Sequence, residues 1–272
     1  MAAAQKRSKV TKRVIAVDWS GALRLPARTI WLAEFVDGSP ARLEKCESRD
    51  KVVERLLDAS KQSSKVVVGL DFAFSCAGWF VQEQQCRSAI EFWSVVKLRG
   101  EKWLRDCPHP FWGRCRRVRP VNTVMYRRTE QELNPVNGIT PKSVFQLAGP
   151  GHVGTGSLRG MPFLAALLDA GFSVWPFQEP SSHVVIEIYP RILTGAVIKR
   201  SPEARMRFLD NPDFASFTED WRTEAAGSED AFDAAVSVCV MNKHLHAFES
   251  LKKTTNPQLS LEGIIWDPRR SN

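Results

Sequence analysis

Five acidic residues stand where carboxylates do chemistry rather than decorate a surface. Asp18 ends the apolar run Val14-Ile15-Ala16-Val17, and Asp71 follows Val66-Val67-Val68-Gly69-Leu70. Glu187 interrupts Val184-Val185-Ile186-Glu187-Ile188-Tyr189, and Asp230 and Asp233 lie three apart in Ser228-Glu229-Asp230-Ala231-Phe232-Asp233-Ala234-Ala235. A carboxylate among apolar neighbours is costly unless it is paired or bound to a metal. Asp18, Asp71, Glu187, Asp230 and Asp233 are therefore the catalytic candidates. An all-oxygen set prefers a hard cation, Mg²⁺ or Mn²⁺, over zinc. Two such ions about 3.5–4 Å apart activate a water and stabilise the leaving oxygen of a phosphodiester. The bland alternatives are a strand-end Asp that caps a loop, acids that complement a helix dipole, and a Glu187 ion pair with an arginine such as Arg191. His109, His152, His183, His244 and His246 have no evident nucleophile partner, so no Ser-His-Asp arrangement competes. Cys107-Pro108-His109 with Cys115 is the other metal option, but it lacks the paired C-x-x-C spacing of a zinc site.

The elements that must carry these residues follow from the apolar pattern. Residues 13–18 read as a central strand buried on both faces. Residues 28–36 and 41–46 read as two more strands, joined through the Asp37-Gly38 turn signal. Ser48 caps a predicted helix over 49–60, whose apolar stripe is Val52, Val53, Leu56 and Leu57. The strand ending at Asp71 comes next, by a right-handed crossover. Further helices are expected at 82–98 and 161–170, strands at 172–175 and 184–189, and a charged helical region at 201–224 broken near Asn211-Pro212. The last helix starts at Ser228, whose cap and following acids mark a helix start. Asp230 and Asp233 then share one face. The fold class is α/β: three antiparallel strands, then parallel strands, flanked by helices.

Two stretches suit a polyanion. Between Lys97 and Arg128 only Glu101 and Asp106 oppose a run of basic and aromatic residues. Trp112, Arg114, Arg116, Arg117, Arg119, Arg127 and Arg128 are the nucleic-acid-binding candidates, arginines on phosphates and aromatics on bases. The alternative is an insertion, about 76–150, whose aromatics pack back onto the sheet. In Gly149-Pro150-Gly151-His152-Val153-Gly154-Thr155-Gly156-Ser157, residues Gly151, His152, Gly154 and Gly156 are phosphate-binding candidates at a helix start. That loop fits neither the Walker nor the dinucleotide pattern, and a tight structural turn explains it equally.

Composition sets the bounds. A chain of 272 residues with 43% hydrophobic and 25% charged content has ample material for a core. Its net charge of +8 favours a nucleic-acid partner. No apolar run approaches the roughly 20 residues of a membrane span, so no membrane association is expected. Scattered cysteines and the lack of a signal-peptide pattern point to the cytoplasm. Residues 1–12 read as a flexible basic tail, 13–250 as one domain and 251–272 as a C-terminal tail, with Trp266 a candidate to pin it.

The order of elements resembles the ribonuclease H-like fold. More narrowly, Val17-Asp18-Trp19-Ser20-Gly21, Gly69-Leu70-Asp71-Phe72-Ala73-Phe74-Ser75, Glu187-Ile188-Tyr189-Pro190 and Asp230-Ala231-Phe232-Asp233-Ala234 resemble the motifs of the domain of unknown function 429 family, predicted nucleases of that fold. The resemblance spans roughly residues 13 to 245. It implies a metal-dependent nuclease acting on DNA or RNA. The Asp-x-x-Asp helix is similar to the last helix of Holliday-junction resolvases. That similarity implies that Asp18 bridges two ions, Asp71 holds one, and Asp230 and Asp233 complete the pair; Glu187 departs from the four-carboxylate pattern. Two other functions stay open: nucleotide-dependent phosphoryl transfer, or ATP hydrolysis, on the same fold, and nucleic-acid binding without catalysis.

Overall fold

The computed structural model describes residues 11–22, 29–121 and 123–270. Most of the predicted basic tail, residues 1–10, lies outside them, as does Arg28 at the head of the second predicted strand. Six strands form one mixed sheet: β1 (Lys12–Asp18), β2 (Trp31–Val36), β3 (Ser39–Lys45), β4 (Lys65–Leu70), β5 (Ser173–Val174) and β6 (His183–Glu187), ordered β3-β2-β1-β4-β6-β5. β1, β2 and β3 form an antiparallel meander, whereas β4 is parallel to β1 and β6 is parallel to both β4 and β5. Asp37 and Gly38 both take positive φ, 49° and 84°, and so close the β2–β3 hairpin with the sheet's own twist.

The helices are α1 (Arg49–Lys61), α2 (Gly78–Glu83), α3 (Ala89–Asp106), α4 (Arg128–Glu132), α5 (Gly154–Asp169), α6 (Pro190–Thr194), α7 (Pro202–Leu209), α8 (Glu219–Gly227), α9 (Glu229–Lys243) and α10 (Leu259–Glu262). Ser48 caps α1 by accepting from the Lys51 N–H, and Val52, Leu56 and Ala59 bury its apolar stripe. The strands shift by one to three residues from their expected bounds, and two predicted helices change more. The helix expected at 82–98 divides into α2 and α3, because Ser88 caps a fresh start by accepting from the Glu91 N–H. The helix expected from 161 begins at Gly154. Three glycines and Pro162 argue against a helix there, but packing overrides propensity: a Cβ on Gly160 would lie 2.7 Å from the Phe72 ring.

The central strands are buried on both faces, and the strand period of two sorts their side chains. Ile15, Val17, Val66, Val68, Leu70 and Val185 face one core, beneath α1, α3 and α5. Val14, Ala16, Val67, Val184 and Ile186 face the other, beneath α9, whose Ala231, Ala234, Ala235 and Val238 are fully buried. Gly69 lets α9 lie close, since a Cβ there would stand 2.6 Å from the Met241 sulfur. The arginine- and aromatic-rich stretch is not a separate surface layer. Phe80, Phe92, Trp103, Phe111 and Phe145 interlock edge-to-face in the first core.

The stretch beyond 251 is also not a free tail over its described length. Glu262 accepts from the backbone N–H groups of Gly78 (2.8 Å) and Arg128 (2.6 Å). Trp266 is 2% exposed, and its backbone N–H donates to the Glu187 carbonyl at 2.8 Å. Among the described residues no helix is long and apolar enough to cross a membrane.

Candidate active site

The sheet register decides which carboxylates meet. Val17 is paired with Leu70 across the parallel β1–β4 ladder, so Asp18 and Asp71 are the next residues out on adjacent strands. The Asp71 N–H still donates to the Val17 carbonyl at 3.1 Å. Both aspartates continue the alternation of Val14, Ala16, Val67 and Gly69, which places them on the α9 side of the sheet. Ser228 caps α9 by accepting from the Ala231 N–H at 3.0 Å. Its first turns then bring Asp230 and Asp233 to the same side.

Glu187 lines the same cleft, but from the other face of the sheet. Its register partner is Leu70, so it faces the opposite side of the sheet, as Val185 does. There the Arg127 guanidinium engages both its oxygens, at 2.5 and 2.8 Å, and the Phe74 N–H donates at 2.9 Å. Arg127, 1% exposed, also donates to Glu130 at 2.8 Å. Glu187 is held in a buried ion pair, and its partner is Arg127 rather than Arg191. Arg127 is in turn corrected from nucleic-acid contact to core clamp.

Asp18, Asp71 and Asp230 line one cleft of about 780 Å³. Asp233 sits behind them at 7% exposure, its Oδ2 2.5 Å from the Lys199 Nζ and its Oδ1 buried without a partner. Among the described residues nothing donates a hydrogen bond to the side chains of Asp18, Asp71 or Asp230. Desolvation and the neighbouring carboxylates Asp71, Asp233 and Asp230 hold the Asp18 carboxyl well above the usual range. Desolvation and Asp233 push Asp71 up to about 8. Desolvation and Asp233 push Asp230 up to about 6. Burial raises Asp233 too, although Lys199 opposes it. The cluster is short of positive charge.

Whether these residues suit a divalent cation can be tested on their own chemistry. The donors are hard oxygens, three side chains have no competing partner, and the buried Asp233 Oδ1 is unsatisfied. On those grounds they fit. Among the described residues, however, no group of three or more His, Cys, Asp or Glu side chains is already set to hold a metal ion.

The cleft lining also carries Arg114, Lys142, His152, Arg191 and Lys199, the last beside the acids themselves, together with Glu130 and Glu229. The glycine-rich loop lies there too. The His152 N–H donates to the Gly149 carbonyl (3.2 Å) and the Gly154 N–H to the Gln146 carbonyl (3.1 Å), so both are spent on the turn itself. The N–H groups of Thr155 and Gly156, in the first turn of α5, make no hydrogen bond among the described residues. Trp19-Ser20-Gly21-Ala22 packs on that turn. Arg49 donates to the carbonyls of Ser20 and Ala22, both at 3.0 Å, and Arg159 donates to that of Gly21. Gly21 is obligatory there, because a Cβ would lie 2.5 Å from the Gly156 nitrogen.

The remaining basic candidates divide. Arg116, Arg117 and Arg119 are exposed, the last stacked over Tyr126 at 5.2 Å. Arg114 is held by the Leu104 carbonyl (3.2 Å) and the Thr155 hydroxyl (3.3 Å), and Arg128 by Glu132 at 2.5 Å. Trp112 is corrected: at 9% exposure it packs in the core and cannot stack on a base. Lys199 carried no sequence signal, being 34 residues before Asp233 in a loop with no motif.

No protein-family model, no curated protein and no solved structure matches the chain.

Proposed function

We propose that the chain is a metal-dependent nuclease of the domain of unknown function 429 family, with a ribonuclease H-like fold, hydrolysing phosphodiester bonds of DNA or RNA. The observation that carries this reading is the placement of Asp18, Asp71 and Asp230, all without side-chain partners among the described residues, in one cleft whose lining also carries Arg114, Lys142 and His152. The antiparallel meander, crossover helix, parallel strands and acid-bearing α9 support the fold assignment. Asp18, Asp71, Asp230 and Asp233 are the residues that would hold Mg²⁺ or Mn²⁺. A bound ion of this kind supplies the charge that activates a water and stabilises a leaving oxygen. The protein's own contribution is positional. Parallel strands fix Asp18 beside Asp71, and Arg114, Lys142 and His152 orient phosphates within the same cleft. Exposed Arg116, Arg117 and Arg119 follow the cleft-lining Arg114 in sequence and offer further positive charge to a polyanion.

The test is cleavage of labelled single-stranded DNA, duplex DNA and RNA with Mg²⁺ or Mn²⁺, by wild type and Asp18→Asn. Loss of cleavage in a folded variant is expected; cleavage retained by Asp18→Asn refutes the reading. One observation favours a second reading, nucleotide-dependent phosphoryl transfer: the unpartnered Thr155 and Gly156 amides stand at the first turn of a 16-residue helix beside a cleft of small-ligand size. Thermal stabilisation by a nucleoside triphosphate in the absence of nucleic acid is its signature.

A further inference from the structure

The large apolar side chains left in solvent are not spread evenly over the chain. Among the described residues there are six, and three of them, Val118, Val121 and Val124, fall in one short segment, the first two at 83% and 81% exposure. A single exposed valine needs no explanation, but three so close along the chain do. Arg116, Arg117 and Arg119 stand among them, exposed and in no salt bridge among the described residues. Arg119 lies over the Tyr126 ring at 5.2 Å. Both ends of the segment are fixed beside the cleft. At its start Arg114 is on the cleft lining, and the Gly113 N–H donates to the Arg117 carbonyl at 3.0 Å. At its end the Trp79 indole N–H donates to the Val124 carbonyl at 2.7 Å, and the Ser143 hydroxyl donates to the Met125 carbonyl. Ser143 follows Lys142, which lines the cleft together with the exposed Ile139.

We propose that this segment selects single-stranded nucleic acid, its arginines holding phosphates while Val118, Val121, Val124 and Tyr126 receive unpaired bases beside the cleft. The inference rests on the nucleic-acid partner of the reading above and names its class. Charge complementarity calls for a polyanion, and the valines decide which kind. A duplex stacks its base faces inward, so the arginines would find phosphates but the valines would meet only charge and water. An unpaired strand offers apolar base faces whatever its sequence. An anionic membrane suits the segment less, because interfacial binding uses an amphipathic helix with a broad apolar face. The described residues between 116 and 126 form no helix.

Binding in EDTA, where metal-dependent cleavage is stopped, tests this apart from activity. Fluorescence anisotropy compares a mixed-sequence oligonucleotide, as DNA and as RNA, with its blunt duplex, for wild type and for the triple change Val118→Ser, Val121→Ser, Val124→Ser. Wild type is expected to hold the single strand at least about tenfold more tightly than the duplex, and the variant to lose about tenfold of that single-strand affinity. The variant's slope of log affinity against log salt should match wild type, since no phosphate contact is removed. Threonine at the same three positions serves as a near-isosteric second variant should the serines fail to fold. Duplex bound as tightly as single strand overturns the proposal and leaves the nuclease reading standing, and so does a folded variant with wild-type affinity for the single strand. Phosphatidylserine vesicles bound more tightly than the oligonucleotide, and released by the same variant, also overturn it. No binding to any nucleic acid overturns both. Single-strand selection without cleavage once Mg²⁺ or Mn²⁺ is supplied upholds the proposal and refutes the nuclease reading.

Discussion

Replacing Asp71 with asparagine is expected to stabilise the metal-free protein, although Asp71 belongs to the candidate active site. The unfolded chain ionises this carboxyl near 3.8, the native chain only near 8, because the site is desolvated and Asp233 is close. Between those values the native state holds a proton that the unfolded state has released. Stability therefore falls as pH rises, starting above 3.8 and levelling off beyond 8. At pH 7 the gap is about three pH units, or ~4 kcal/mol, and the raised neighbours share part of it, leaving about 2–4 kcal/mol for this residue. Asparagine copies the neutral acid in size and hydrogen bonding and carries none of that penalty. The assay is urea unfolding in EDTA at pH 4.5, 6, 7 and 8.5 for both proteins. The variant's advantage should be under about 1 kcal/mol at pH 4.5 and grow with each step to pH 8.5. With Mn²⁺ added at pH 7, wild type should gain more stability than the variant. An advantage constant across pH, or a variant less stable than wild type at pH 7, refutes the crowded-carboxylate account.

Three further outcomes follow from the same architecture. Arg127→Met leaves Glu187 and Glu130 buried without their cation, and should cost about 3–5 kcal/mol in urea unfolding; a loss below about 1 kcal/mol removes the clamp role. Gly21→Ala drives a methyl into the first turn of α5 and should cost about 1–3 kcal/mol, with changes in tryptophan fluorescence reporting movement of Trp19. The triple change Arg116→Ala, Arg117→Ala, Arg119→Ala removes exposed charge only, so its melting temperature should match wild type. Its affinity for single-stranded DNA should drop, and the slope of log affinity against log salt should flatten by about 0.7 for every phosphate the variant no longer neutralises.

Much of this arrangement was legible in the sequence because its signals are local. Two β-branched runs ending in Asp18 and Asp71 identified adjacent strands, and Ser228 with its following acids marked the start of α9. The face that Glu187 takes is not legible, because motif order carries no parity. Counting alternation along Val184–Ile188 against the neighbouring strand shows that it points away from Asp71, but that count requires the β4–β6 register. Arg127 looked like one more member of a basic run; what distinguishes it is a Glu three residues on and another 60 residues away. Trp112 resembled its exposed neighbours for the same reason. α5 hid its start because three glycines and a proline oppose a helix, and only the close fit against Phe72 and Gly21 explains why one forms. Lys199 was invisible, since its partner is fixed by tertiary packing alone.

The distance along the chain between Asp18 and Asp233, about 200 residues, has a consequence for synthesis. The strand that presents Asp18 emerges early, yet its partners on α9 leave the ribosome only after about 10–40 s of elongation at ordinary rates of 5–20 residues per second. The stitch made by Glu262 and Trp266 at the β6 edge follows later still. A nascent or prematurely terminated chain that stops short of α9 therefore carries strand-end carboxylates but no assembled acid cluster. Any hydrolytic capacity of the site is withheld until α9 has been translated.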